Sequence, residues 1–387
     1  MVIKVVIGAN FGDEGKGLMT DYFCHQSTLR GEKTLVVLHN GGAQRGHTVV
    51  TPDGNRHVFH HFGSGTLVGA DTYLSGDFIL NPIVFRQEWE ELEEMGIAPK
   101  VYVHPKCRVT TPYDMIANQI VEESRSDNKH GSCGLGVYET IKRYNELVIS
   151  FLLYRIRRFC SFHPFIMREW MKRLKEYFYQ RLNEENIKIP NEWKEIVESN
   201  TLVENYIDDL KFMVEHISLS YIYEMSDFDC MIFEGGQGLL LDRNNKEYYP
   251  HLTPSNTGTE NPLNIISGLN SDLDVEVCYV TRTYLTRHGA GRLDGECDKA
   301  EINPTMQDLT NIPNPHQGTL RYAKLDEKSL KERILKDFEL ARKYGAKLSL
   351  AVTHENEYDH IFSNEFKKNF DCIYYSDGET RESIGRI

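Results

Sequence analysis

The chain has 387 residues, 40% of them hydrophobic and 26% charged, which is the composition of an ordinary globular protein with a sizeable core. Its net charge of −13 disfavours general binding to nucleic acid, although a pocket on an acidic protein can still be locally basic. Eight scattered cysteines without a CxxC pair argue against a structural zinc site and a disulfide framework, and no stretch is long enough for a membrane span, so a soluble cytoplasmic protein is expected.

Short apolar strands alternate with helical patterns along most of the chain. Strands are predicted at residues 3–8, 34–38, 101–103, 230–233, 275–280, 348–352 and 372–375, and helices between them include 82–95 and 328–344. This alternation predicts an α/β fold with a mainly parallel central sheet covered by helices. The ligand site of such a sheet lies at the carboxyl ends of its strands.

The stretch from about 145 to 226 has a different composition. It is rich in Glu, Lys, Arg, Tyr and Leu and poor in glycine, which predicts an inserted helical lobe with a break at Pro190. We expect a single domain over residues 1–387 that carries this insertion. Nothing in the pattern of the lobe names a function of its own.

The first strand runs into a glycine-rich loop, residues 12–17, which reads GDEGKG. Glycines let backbone amides approach phosphate oxygens, the following helix N-terminus adds its dipole, and Lys16 adds a positive charge. The loop is not a Walker A motif, because GxxxxGK[ST] is absent. An acid and a lysine among the glycines favour phosphate and magnesium over a plain strand-to-helix turn.

Two further loops follow predicted strands. Residues 40–48 read NGGAQRGHT and contain His47, a residue type that can donate a proton near neutral pH. Residues 234–238 contain Gln237, whose amide can read a base edge or hold an oxyanion, and the turn at 253–258 offers threonine hydroxyls to a phosphate. Each loop alone could simply satisfy its own backbone. Together they predict an enzyme that handles nucleotides, without identifying the reaction.

Five ordered motifs, GDEGKG, GGxxxGHT, FEGGQGLLLD, SNTGT and TRHGAG, resemble those of the adenylosuccinate synthetase family. The resemblance extends from residue 1 to about 145 and from about 228 to the end. It implies a ligase that phosphorylates O6 of a purine nucleoside monophosphate and then replaces it with the amine of L-aspartate. Removing N1–H makes O6 an oxyanion that can attack a γ-phosphate, and phosphoryl transfer needs mainly positioning and charge neutralisation.

The resemblance also implies roles for individual residues. Asp13 would be the general base and, with the Gly46 carbonyl, a ligand of Mg²⁺; His47 would be the general acid, and Gln237 would contact the activated base. Other nucleotide or phosphate contacts would come from Gly12, Glu14, Gly15, Lys16, Gly17, Gln44, Gly46, Thr48, Ser132, Cys133, Gly134, Thr253, Asn356, Ser376 and Gly378. Aspartate would be bound by Gln317, Gly318, Thr319 and Arg321. Arg143 aligns with an arginine that reaches into the partner subunit's site, so a homodimer is implied.

Several departures separate the chain from an ordinary synthetase. Residues 353–356 read THEN where the family recognises the guanine of GTP with Thr-Lys-Leu-Asp. Each N–H group of guanine that is buried without a hydrogen-bond acceptor would weaken binding by about 1–3 kcal/mol. ATP is therefore the expected phosphoryl donor, and GTP is the less favoured one. Thr319 replaces an arginine directed at the ribose 2′-hydroxyl, which suits a deoxyribose. Ser132 and Cys133 replace paired threonines, and Leu135 replaces an arginine.

These departures resemble a viral branch of the family that joins dGMP to aspartate with ATP. Its product is N6-succino-2-amino-2′-deoxyadenylate, a precursor of 2-aminoadenine in DNA, and such an enzyme would act in the cytoplasm of a host. Much of that branch has a smaller residue at the position of Asp13, so the ordinary reaction of IMP, aspartate and GTP stays open. A catalytically silent nucleotide-binding regulator is a further alternative. Only small-molecule substrates and a second subunit are expected as partners, with no nucleic acid and no membrane.

Overall fold

The computed structural model describes residues 1–126, 129–147, 164–269, 272–306 and 319–387. Its strands are mostly short runs of buried β-branched and aromatic residues, which favour extended backbone. In chain order they are β1 (Val2–Gly8), β2 (Thr34–Leu38), β3 (His47–Val50), β4 (Arg56–Phe59), β5 (Asp71–Leu74), β6 (Ile79–Leu80), β7 (Val101–Val103), β8 (Arg108–Val109), β9 (Ser218–Leu219), β10 (Cys230–Gly238), β11 (Asp274–Arg282), β12 (Leu285–Arg287), β13 (Glu296–Cys297), β14 (Arg321–Ala323), β15 (Lys347–Thr353), β16 (Cys372–Ser376) and β17 (Ile384–Arg386).

Helices connect these strands, and several begin at recognisable capping residues. Asn81 accepts hydrogen bonds from the first-turn amides of one helix, and Thr111 and Asp114 form a reciprocal capping box at the start of the next. The helices of the described residues are α1 (Lys16–Leu29), α2 (Pro82–Glu94), α3 (Pro112–Ser124), α4 (Val137–Glu146), α5 (Pro164–Glu184), α6 (Asn191–Glu198), α7 (Asn200–His216), α8 (Glu260–Ile266), α9 (Lys299–Ile302), α10 (Glu327–Arg342) and α11 (Asn364–Lys367).

A ten-stranded sheet organises the molecule, with strand order β17-β16-β15-β11-β1-β10-β2-β5-β7-β9. All neighbouring pairs in it are parallel except β16 and β17. The carboxyl ends of β11, β1, β10 and β2 therefore lie side by side at one edge. The loops that follow these four strands meet there, as expected for a ligand site in an α/β sheet.

Side chains of the sheet point alternately to two hydrophobic cores. Val6 and Val36 belong to the core shared with α1, α2, α3, α5 and α7. Their chain neighbours Val5 and Val37 belong to the opposite core, shared with α8, α10 and α11. Because both faces are covered, the central strands are continuously apolar rather than alternating.

The predicted α/β fold with a mainly parallel sheet is confirmed. The lobe is helical where α5, α6 and α7 lie, and Pro190 stands between α5 and α6 as predicted. The last part of the lobe is not helical. Its strand β9 pairs with β7 at the edge of the sheet, and this pairing joins residues that are far apart in the sequence. Residues 148–163, in the predicted lobe, lie outside the described residues. No helix in the described ranges is both long and apolar enough to cross a membrane.

Candidate active site

A cavity of about 530 Å³ opens at the carboxyl edge of the sheet. Asp13 and His47, the predicted base and acid, both line it, together with Gln44, Gly46 and Gln237. The cavity is also lined by the start of α4, the loop before it and the turn around Thr253. The sequence motifs thus converge on one site, as expected for loops that follow neighbouring strands.

The first loop is held by its own acidic and basic residues. The carboxylate of Glu14 accepts hydrogen bonds from the amides of Asn10 (3.0 Å) and Gly12 (2.7 Å), and the buried ammonium of Lys16 donates to the Gly12 carbonyl (2.6 Å) and to Glu14 (3.4 Å). Glu14 thus occupies the Gly12 amide, one of those expected to meet phosphate, and it neutralises Lys16. The expected phosphate contact of Glu14, through its backbone amide, stays a prediction.

Two glycines allow the loop to lie against the sheet. Gly15 caps α1 with a φ of 89°, in the left-handed region that favours glycine. Gly238 ends β10, and a Cβ atom there would overlap the Asn10 carbonyl and lie 2.7 Å from the Gly12 nitrogen. The end of β10 is therefore pressed directly against the loop that carries Asp13.

Asp13 lies on the cavity wall with about 23% of its side chain exposed. Burial raises the pKa of its carboxyl group, and the nearby His288, 3.8 Å away, and Arg282 offset part of that rise. Arg282 also donates to the Asp13 backbone carbonyl at 2.5 Å, which fixes the position of the residue. A carboxylate with a raised pKa is a stronger base than an ordinary one, which suits proton abstraction.

His47 belongs to a buried polar network. Its Nδ1 lies 2.6 Å from Glu234, whose other oxygen pairs with Arg45 at 2.9 Å, and Ser64 donates to the same carboxylate. Burial would raise the pKa of Glu234, but Arg45 and His47 lower it to about 2. Burial and Arg45 lower the pKa of His47 to about 4. The Nδ1 atom also lies 2.9 Å from an Arg45 guanidinium nitrogen, and a neutral ring that keeps its proton on Nδ1 for Glu234 leaves Nε2 for a ligand.

Buried polar atoms without hydrogen-bond partners concentrate around this network. Within the described part of the chain they include Gln44 Oε1, Arg45 Nε and Nη1, His47 Nε2, Thr48 Oγ1 and Gln237 Oε1. Folded proteins rarely leave such groups unsatisfied, so a cluster of them indicates a place where a polar ligand completes the bonding. Thr48 does not line the cavity; its carbonyl lies beside Gly17 behind the loop.

The loop of Ser132, Cys133 and Gly134 reaches the cavity through Ser132 and Cys133, and its phosphate contacts stay a prediction. The amides of Gly131 and Ser132 donate to Glu122 at 2.6 and 3.2 Å, and the Ser132 hydroxyl donates to Asn118 at 2.7 Å. The Glu122 carboxylate therefore occupies backbone amides of this loop, where a phosphate was expected to bind. Burial raises the pKa of the Cys133 thiol, which keeps it neutral.

Arg143 is directed into its own chain, and its predicted contact with a partner's site stays a prediction. Its guanidinium forms two 2.8 Å bonds to Asp114 and donates to the Val109 carbonyl at 2.7 Å. Only 5% of the residue is exposed. Moving it outward would leave Asp114 buried and unpaired, at a cost of about 3–5 kcal/mol.

The predicted donor-nucleotide residues lie together beside α1, away from the cavity. The Glu355 amide donates to the Ser376 carbonyl at 3.1 Å, which joins the segment of Asn356 to the turn of Ser376 and Gly378. Thr353 donates to the Glu14 carbonyl at 2.8 Å and so ties this region to the first loop. Asn356 is exposed, whereas the Ser376 hydroxyl contacts the Gly378 carbonyl at 2.9 Å.

Of the predicted aspartate contacts, Gln317 and Gly318 lie outside the described residues, and Thr319 is exposed. Arg321 pairs with Glu296 through two bonds of 2.7 and 2.5 Å and donates to the carbonyls of Gly289 and Gly291. The carboxylate at Arg321 is thus supplied by the chain itself. Its contact with a substrate stays a prediction.

Sequence reasoning missed several residues of the site. Glu234 and Arg45 stand inside the quoted motifs, but their partnership with His47 joins β10 to the loop after β2 and has no local signal. Arg287 was also missed; it is buried, lines the cavity and stacks over Phe11 with 4.7 Å between the guanidinium carbon and the ring centre. The signal for Arg287 was its place in the TRHGAG motif.

Comparison with known proteins gives one family. The family described as Adenylosuccinate synthetase matches residues 5–314. An adenylosuccinate synthetase from Synechocystis sp. is 28% identical over 306 residues, covering 79% of this chain and 65% of that protein. Another, from Acaryochloris marina, is 30% identical over 296 residues, covering 75% of this chain and 62% of that protein. The chain thus spans slightly less than two thirds of the length of these curated relatives.

Two solved structures share the fold. Adenylosuccinate synthetase from Plasmodium falciparum, fully ligated, superposes with a TM-score of 0.70 at 16% identity and covers 98% of both chains. Succinoaminodeoxyadenylate synthetase (PurZ) of cyanophage S-2L, bound to dGMP and dATP, superposes with a TM-score of 0.62 at 14% identity, covering 99% of this chain and 95% of that one. At these identities the likeness concerns the architecture of the sheet and its helices.

Proposed function

Because the chain belongs to the adenylosuccinate synthetase family, we propose that it joins L-aspartate to C6 of a purine nucleoside monophosphate at the expense of a nucleoside triphosphate. The observation that carries the proposal is that Asp13, in the loop after β1, and His47, at the start of β3, line a single cavity with Gln237. A base and an acid on one cavity are what O6 phosphorylation requires.

The proposed chemistry assigns one step to each residue. Asp13 takes the proton from N1, so that negative charge develops on O6, and Gln237 holds the base in place. His47 presents Nε2 to the phosphoryl group, while Glu234 fixes the ring through Nδ1 at 2.6 Å. The negative charge of a bound triphosphate favours the protonated ring, which would give His47 the proton that it donates. The amine of aspartate then displaces the phosphorylated oxygen.

The donor groups around Asp13 suit Mg²⁺. Asp13 offers a partly exposed carboxylate, and the exposed Gly46 accepts no hydrogen bond from any described residue at its carbonyl. No group of three or more His, Cys, Asp or Glu residues among those described could hold a metal by itself. Magnesium commonly uses one or two protein oxygens together with phosphates and water, which these residues fit. When bound, it would neutralise charge on the phosphates.

We propose dGMP and ATP as the substrates, in preference to IMP and GTP. The 353–356 segment offers the amide of Asn356 and no aspartate in the place of the family's guanine-reading carboxylate. An amide can pair with the donor and acceptor edge of adenine. Thr319, in place of an arginine, supports a sugar without a 2′-hydroxyl. The architecture shared with cyanophage PurZ is compatible with this choice, while the curated relatives favour the ordinary reaction.

The test is a matrix of purified protein, aspartate and Mg²⁺ with dGMP or IMP and with ATP or GTP. Phosphate release and the succino-adduct, detected by mass, should both be largest for dGMP with ATP. Faster turnover of IMP with GTP would assign the ordinary reaction instead. The absence of phosphate release with every pair would favour the silent regulator.

Two substitutions test the base and the acid. Asp13→Asn should abolish turnover and leave nucleotide binding in place, because the amide cannot take a proton. His47→Gln should lower kcat by about 10²–10⁴, the contribution typical of a general acid. Binding by calorimetry and single-turnover rates separate the two roles. A His47 variant that changes only KM would make His47 a binding residue.

A further inference from the structure

We infer that Arg333 positions the first loop for catalysis, acting on Asp13 through the backbone that precedes it. The inference rests on the proposed function, because it takes Asp13 as the general base, and it adds a positioning residue to the site. Arg333 lies on α10, outside the residues 5–314 that match the family. None of the five sequence motifs contains it.

The guanidinium of Arg333 reaches two acceptors just after β1. Its Nε donates to the Ala9 carbonyl at 2.8 Å, and its Nη2 donates to the side-chain oxygen of Asn10. These two acceptors lie four and three positions before Asp13 in the chain. Because the guanidinium is planar and rigid, two bonds from one group fix the orientation of both acceptors as well as their distance.

Asn10 is the residue through which this restraint reaches the rest of the site. Its backbone amide donates to Glu14 at 3.0 Å, its carbonyl accepts from the Leu240 amide at 2.8 Å, and its side-chain amide donates to Thr281 at 3.0 Å. Asn10 is 2% exposed, and Arg333 supplies the bond to its remaining polar atom. Without Arg333 that oxygen would be buried and unsatisfied, which is unfavourable and would favour a shift of the loop.

The loop needs such restraints because its backbone is locally permissive. Gly12 has a φ of 113°, in the left-handed region, and glycine can leave this conformation at little steric cost. Arg282 fixes the segment after Gly12 by donating to the Asp13 carbonyl at 2.5 Å. Arg333 fixes the segment before it. The direction of the Asp13 carboxylate is thus set by two guanidinium groups on either side of one glycine.

Arg333 is not held in place by a salt bridge. Within the described ranges it forms no ion pair, and both of its acceptors are uncharged oxygens. Burial lowers the pKa of Arg333 to about 10, so the group stays protonated at neutral pH and keeps its donors. Its hydrogen bonds go to the segment before Asp13, so holding that segment is the role that the contacts assign to it.

The test compares Arg333→Ala with Arg342→Ala in the full chain. With the substrates of the proposed reaction, Arg333→Ala should lower kcat about tenfold to a hundredfold, the loss expected when a catalytic group is misplaced by about 1 Å, and should change KM little. Guanidinium chloride at low millimolar concentration should restore part of kcat, because Arg333 is only partly buried and a free guanidinium can enter its place. Arg342 is the matched control, an exposed arginine of the same helix whose guanidinium carbon lies 5.6 Å from the ring centre of Phe338.

Hydrogen exchange measures the positioning without turnover. The amides of residues 10–14 should exchange faster in Arg333→Ala than in wild type, because the loop loses one of its two restraints. The amides of β15 should exchange at the wild-type rate in the same protein. In Arg342→Ala both segments should match wild type.

The outcomes separate this inference from the proposed function. If wild-type protein turns over no pair of nucleotides, the proposed function fails, and the exchange of residues 10–14 still decides whether Arg333 holds the loop. If Arg333→Ala keeps the wild-type kcat, or if its exchange at 10–14 is unchanged, the inference fails. A loss of kcat that guanidinium does not restore, with faster exchange in β15 as well, would make Arg333 a general structural residue and overturn the inference.

Discussion

At the scale of single residues, Glu234 has the most demanding environment in the site. It is 1% exposed and binds Arg45, His47 and Ser64 at once. Glu234→Gln keeps the shape but leaves Arg45 buried without a charged partner, so the free energy of unfolding should fall by about 3–5 kcal/mol. Urea unfolding measures this loss. Asp274→Asn, which breaks the exposed pair with Lys347, should cost less than about 1 kcal/mol; equal losses would contradict the argument.

A second residue predicts how stability depends on pH. Burial raises the pKa of Asp337 to about 6, although Tyr279 (2.6 Å) and the Thr259 amide donate to its carboxyl group. A folded pKa above the unfolded value of 3.8 means that the protonated form is favoured in the folded state. The resulting stability is fully present below pH 3.8 and is lost as pH rises through about 6, by about 3 kcal/mol in total.

Asp337→Asn removes this dependence because the amide does not ionise. The unfolding free energy of wild type minus that of the variant should therefore fall by about 2–2.5 kcal/mol between pH 4 and pH 7. Asp326→Asn is the control, because hydrogen bonds from Ser329 lower the pKa of Asp326. The unfolding free energy of wild type minus that of Asp326→Asn should therefore rise with pH instead of falling. A difference between wild type and Asp337→Asn that stays constant with pH would refute the assignment.

At the scale of elements, α3 and α4 are joined by the Arg143–Asp114 pair. Arg143→Met should lower the free energy of unfolding by about 3–5 kcal/mol, because it strands a buried carboxylate. Adding Asp114→Asn should cost less than it does in the wild-type background, which a double-mutant cycle measures. Arg86→Met, at a half-exposed pair with Glu90 and Asp209, should cost under about 1 kcal/mol. Additive losses would mean that the two side chains are not paired.

The elements also show what the sequence could predict. β2 has the bounds predicted from its run of apolar residues, and β10 continues past the predicted end into its glycines. β9 carries no such signal, because two residues become a strand only by pairing with β7, more than a hundred residues earlier. The site follows the same rule. The motifs located Asp13 and His47, but the pairing of His47 with Glu234 depends on which strands are neighbours in the folded sheet.

At the scale of the whole molecule, the family match ends before the fold does. Residues 5–314 match the family, yet β15 pairs with β11 along its length, and β11 is a direct neighbour of β1. The segment after the match thus completes the sheet on one side of the central strand. It also completes the core on the face that carries α10.

We therefore predict that the chain ending at residue 326 does not fold cooperatively. It lacks nine buried apolar residues of that core, and five of them, Leu330, Ile334, Phe338, Leu348 and Leu350, are each at most 4% exposed. At about 1.5–3 kcal/mol each, they contribute roughly 8–15 kcal/mol, comparable with the whole stability of a domain. Deleting only 384–387 removes the edge strand β17 and should keep a cooperative transition in thermal unfolding followed by circular dichroism. A cooperative transition in the chain of 326 residues would show that β11 is stable as an edge strand.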